Sequence, residues 1–102
     1  MSALAVNGVT ITEEYIAERM EQYGLPEYMA GGMFRYLAHH IGPGRFMQAV
    51  LSNDLCGAVG GADTNNGARL KEWVQFCYQE LPTNCWGSHE AVQDWIKKRV
   101  VD

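Results

Sequence analysis

The sequence predicts a mainly α protein, a compact helical bundle of about five helices carrying a short N-terminal β-hairpin. Three observations predict it. Apolar residues recur at three- and four-residue intervals in several separate segments. Capping residues precede those segments, and Gly or Pro follows them. Asn7-Gly8 lies between two short apolar stretches, Leu4-Ala5-Val6 and Val9-Thr10-Ile11, and supplies the two positive-φ residues of a type I′ turn. A ribbon of such short strands is unstable alone, so it must lie on the helices. The chain reads as one domain, with residues 1–11 as the hairpin and 12–102 as the helical core.

The elements follow in order. Thr10 or Thr12 caps a first helix; Glu13 and Glu14 suit its positive end, and Ile11, Tyr15, Ile16 and Met20 form a stripe through about Tyr23. Gly24 stops it. Pro26 starts a second helix, continuous or slightly broken at Gly31-Gly32, that presents Met29, Met33, Leu37 and Ile41 and ends near His40. Gly42-Pro43-Gly44 is a break. A third helix runs from about Arg45 to Asn53 with Phe46, Ala49 and Val50 inward, and a helical piece around Asp54–Val59 continues it after a bend. Asp63 or Thr64 caps the longest helix, to about Leu81, with Leu70, Trp73, Val74, Cys77 and Leu81 on one buried face and Pro82 preventing continuation. Ser88 caps the last helix, which turns Val92, Trp95, Ile96 and Val100 to one side and carries Lys97, Lys98 and Arg99 at its end.

Composition narrows the function. The 102 residues are 47% hydrophobic and 20% charged, which excludes disorder. No apolar run has the length of a membrane span, and the N-terminus lacks the basic and apolar regions of a signal peptide. The net charge of −4 has the wrong sign for a protein that grips phosphates. Three cysteines cannot all pair within the chain, so reduced thiols in a cytoplasm are expected.

The chemical motifs weigh against an enzyme. Cys85 and His89 stand four apart, and Cys56, Cys77, His39 and His40 could add ligands, but no two tight pairs of the kind zinc sites use are present. A calcium loop counted from Asp63 would need glycine and glutamate where Ala68 and Val74 stand. Gly57–Gly61 lacks the Lys-Ser/Thr ending of a phosphate loop. Cys85, Ser52 and Ser88 lack an oriented base, since His89 has no partner of its own in the pattern. No catalytic residue, metal or cofactor is expected. What stands out is charge. Residues 1–30 carry five glutamates against Arg19, and Glu13, Glu14, Glu18 and Glu21 sit on the first helix. Such a face is either simply solvated or matched to a basic partner protein. Trp86, in the Asn84-Cys85-Trp86-Gly87 turn, either lids the core or anchors an interface.

The string Gly44-Arg45-Phe46-Met47-Gln48-Ala49-Val50-Leu51-Ser52-Asn53-Asp54-Leu55, with Ala62-Asp63, Asn66, the Cys85-Trp86-Gly87-Ser88 turn, Pro26-Glu27-Tyr28-Met29 and Arg35-Tyr36, resembles a group of small uncharacterised bacteriophage and prophage proteins. The resemblance runs from about residue 25 onward, and it departs at His89, where many of those proteins have proline. It implies no catalytic residue. It implies a non-enzymatic accessory protein of the bacterial host cytoplasm that binds and inhibits a host protein, such as a CRISPR or other anti-phage defence complex whose basic groove an acidic domain could occupy. The partner-binding residues expected on this reading are Glu13, Glu14, Glu18, Glu21 and Trp86. The alternative is a self-associating structural or regulatory phage protein, a homodimer through exposed aromatics. Neither reading involves direct nucleic-acid or membrane binding.

Overall fold

A computed structural model describes residues 11–99, and the expected hairpin lies outside the described residues. Among those described there are seven α-helices and no strand: α1 (Glu13–Glu21), α2 (Ala30–His39), α3 (Arg45–Leu51), α4 (Leu55–Gly61), α5 (Thr64–Gly67), α6 (Leu70–Glu80) and α7 (His89–Lys97). Short 3₁₀ turns at Glu27–Met29 and Thr83–Cys85 precede α2 and α7. None of these helices is long and apolar enough to cross a membrane.

The count of about five is corrected to seven. The arm expected as one helix from Asp63 to Leu81 divides at Ala68-Arg69. Asn65, Asn66 and Gly67 are weak helix formers, and Asn66 is buried, with its Oδ1 accepting a hydrogen bond from Trp73 Nε1 at 3.0 Å. Satisfying that buried amide sets α5 apart from α6. The division accompanies a shift of the α6 face. Trp73, Phe76, Cys77 and Glu80 are buried, whereas Val74, expected inside, is 54% exposed.

Side-chain caps act at Thr12, Asp63 and Ser88, as expected, and Asp54 adds one at the start of α4. Thr12, Asp54, Asp63 and Ser88 accept from the backbone N–H three residues on, at 2.7–3.1 Å. The second arm begins as a 3₁₀ turn at Glu27–Met29 that runs into α2, and no break occurs at Gly31-Gly32, since both glycines lie inside the helix. Packing of α3 on α4 is tightest at Gly57, where a Cβ would stand 3.2 Å from the Ala49 Cβ and would collide with Oδ2 of the capping Asp54.

One core joins all the long helices. Ile16 and Met20 of α1, Met33, Tyr36 and Leu37 of α2, Met47 and Leu51 of α3, Trp73 and Phe76 of α6, and Val92 and Trp95 of α7 are buried together. The polar ends of the buried aromatics are all spoken for. Tyr36 donates its hydroxyl to the Cys85 carbonyl at 2.6 Å, and Trp95 Nε1 donates to the Tyr36 carbonyl at 2.8 Å. His40 ends α2 in the left-handed region, with Nδ1 2.9 Å from the Trp95 carbonyl, while His39 is exposed. These bonds fix α2, the 83–85 turn and α7 to each other.

Candidate functional site

The most charged surface is built by α1 and the turn after it. Ile16 and Met20 point into the core. At 100° per residue this leaves Glu14, Ala17, Glu18 and Glu21 on the outer face. Gly24, at φ +74°, then reverses the chain, with Leu25 N–H bonding the Met20 carbonyl at 3.2 Å and Gly24 N–H the Glu21 carbonyl at 2.9 Å. The reversal lays Leu25 and Glu27 beside the same face. The result is an open groove of about 540 Å³ lined by Glu14, Ala17, Glu18, Glu21, Leu25 and Glu27. Its floor is apolar and its rim carries four carboxylates.

Arg19, the one cation of α1, takes no part in this rim. It projects from the other side of the helix to Glu80 of α6, with Nε 3.1 Å from Oε1 and Nη2 2.5 Å from Oε2. This is the one ion pair among the described residues. The Tyr23 hydroxyl donates to Glu80 Oε2 at 2.7 Å, with Gln79 Oε1 at 2.8 Å as its alternative acceptor. Burial pushes the Glu80 carboxyl up, but the bonds from Arg19 and Tyr23 outweigh it and hold the group below the usual glutamate value. Arg69 stands beyond Gly24, lining the adjoining groove that also touches Glu27, and marks the edge of the acidic face.

Of the residues expected to bind a partner, Glu14, Glu18 and Glu21 converge on this groove. Glu13 does not; it lies over Gly31 of α2, a place shared with the Arg35 guanidinium. Trp86 is elsewhere, half-buried against the core beside Gly87, whose N–H bonds the Leu51 carbonyl at 2.7 Å. Ala17, Leu25 and Glu27 are not among the residues the sequence marks for partner binding, although Glu27 is one of the five glutamates of the first thirty residues. Gly24 was the available signal, because a left-handed stop folds the next residues back onto the helix it ends.

The nucleophile and ligand candidates are dispersed. Burial pushes the thiols of Cys77 and Cys85 up to about 12, so both are neutral thiols at pH 7, and Cys85 Sγ lies 3.3 Å from the Pro82 carbonyl. Ser88 is engaged as the α7 cap. His89 shares a cleft of about 790 Å³ with Arg45, Ser52 and Asp54. One oxygen of Asp54 there caps α4. Among the described residues no three His, Cys, Asp or Glu side chains gather around one point where an ion could sit. No protein-family model, curated protein or solved structure matches the chain.

Proposed function

We propose that this is a non-enzymatic binding protein that presses the acidic α1 groove against a basic surface of a partner protein. One observation carries the reading: four carboxylates ring a single groove while the only cation of α1 is turned inward to Glu80. A ring of this kind attracts a surface built to hold phosphates, and occupying that surface would exclude nucleic acid. The apolar floor of Ala17 and Leu25 offers contact area once the charges have brought the partner in. Together with the resemblance to phage and prophage proteins, this favours an inhibitor acting in a bacterial host cell. Its target would be a nucleic-acid-binding host complex of the defence type, CRISPR effectors among them.

The test is capture of the partner from lysate of the natural host, run in parallel with the wild-type chain and a Glu14→Lys/Glu18→Lys/Glu21→Lys variant, followed by competition with the partner's nucleic acid. The expected result is a stoichiometric complex that weakens as salt rises, excludes nucleic acid and is lost in the variant. A complex indifferent to both salt and charge reversal overturns the reading.

A further inference from the structure

The face formed by α4 and α6, on which the acidic groove does not draw, carries four of the six large hydrophobic side chains exposed among the described residues; Tyr15 and Tyr28 lie elsewhere. Leu55 and Val59 stand one turn apart on α4, exposed by 71% and 57%; Val74 and Tyr78 stand one turn apart on α6, exposed by 54% and 77%. Between the two rows lies a small cleft of about 60 Å³, lined mainly by apolar groups of Val50, Ala58, Leu70 and Val74. We infer that this face is a self-association surface and that its occupant is a second copy of this chain, related by a two-fold axis.

The features of the face fit that occupant. A two-fold interface uses the same patch twice, so the patch must offer both a projection and a recess. Here Leu55 of α4 and Val74 of α6 line the cleft, and Tyr78 projects one turn beyond Val74. The charges are self-complementary as well. Asp54 lines the cleft on the α4 side, and Lys71, seven residues before Tyr78 and so on its stripe, supplies a cation on the α6 side. A two-fold axis between the rows lays α4 of one copy on α6 of the other and brings Asp54 toward the other Lys71. The balance is local, because the chain as a whole carries −4 and two acidic grooves repel each other. A standard interface needs about 800 Å² from each partner, more than four side chains provide, so the dimer is reversible and forms with rising concentration.

The experiment is sedimentation velocity on the full chain from about 1 µM to about 1 mM. The weight-average mass should climb from the 11.4 kDa of one chain toward twice that and stop. Tyr78→Glu and Leu55→Glu should each hold the mass at that of the monomer. They lie on separate helices and are exposed, so circular dichroism should show both folded. Lys71→Glu should raise the dissociation constant several-fold at low salt and hardly at all at high salt. A spin label on exposed Cys56 should broaden amide signals of α4 and α6 in unlabelled copies mixed with it. A monomer throughout the range, association undiminished in both glutamate variants, or mass growing past the dimer would each overturn the inference.

Discussion

The acidic groove should weaken the fold that carries it. Glu14–Glu18 and Glu18–Glu21 are like-charge pairs at i,i+4 and i,i+3, each worth about 0.2–0.5 kcal/mol of repulsion. Glu21 also lies in the last turn of α1, where the helix dipole disfavours an anion by about 0.3–1 kcal/mol. Replacing both Glu18 and Glu21 with glutamine removes the two repulsions and the dipole penalty while keeping size and helix propensity. The side chains are exposed, so little packing is lost. The sum is a gain of about 1 kcal/mol, or roughly 5 °C in Tm for a domain of this size. Urea and thermal unfolding followed by circular dichroism would read it, at about 0.01 M and about 1 M salt, because screening should shrink the gain. The same variant should lose partner capture. A variant less stable than wild type at low salt would mean the carboxylates support the fold, and the case for a groove kept for binding would fail.

Three further outcomes follow from the interior. Arg19→Ala should cost about 3 kcal/mol at pH 7, because it strands a buried carboxylate. Glu80 titrates below its unfolded value of about 4.3, so its contribution is present above that pH and is lost as pH falls through the folded value. The gap between wild type and Arg19→Ala should therefore close below about pH 4, and urea titrations showing a constant gap would contradict the pairing. Trp73→Phe should cost about 2 kcal/mol by orphaning Asn66 Oδ1, and in its presence Asn66→Ala should cost less than it does alone. A thiol reagent should modify Cys56 in the native protein, with Cys77 and Cys85 reacting only on unfolding, as counted by mass spectrometry.

Local signals carried the sequence reading a long way. Thr12, Asp63 and Ser88 cap helices because a side-chain oxygen three residues before a free N–H acts whatever the rest of the chain does. Trp73, Cys77, Val92 and Trp95 are inside because their spacing allows only one buried side. The failures are tertiary. The division before Leu70 depends on an asparagine finding the indole seven residues later, which helical periodicity does not contain. Val74 lies outside, and Phe76, to which the sequence assigns no side, lies inside, because the buried sector of α6 is set by what packs against it. Phe76 meets the ring of Tyr23 edge-on at 5.5 Å, and Trp73 meets Phe46 at 5.8 Å. Glu27 joined the acidic groove by chain reversal, and Glu13 left it because α2 lies on that side.

The inward turn of Arg19 links the fold to the surface charge. A buried ion pair is weak support for a fold, since an apolar pair of the same volume often serves as well or better. Stability alone therefore does not require an ion pair between α1 and α6, and helical spacing puts no glutamate of α1 three or four residues from Arg19 for it to pair with instead. What the pairing does is leave the outer face of α1 wholly anionic while using Tyr23 and Glu80 to hold α1 on α6. Like-charge spacing and the position of Glu21 act against the helix in the same direction. Glu14 gains from the positive end of the helix, but Glu18 and Glu21 break local rules together on one face, which is what the proposed binding role would lead one to look for. A basic partner is the counterpart that would relieve all of these penalties at once.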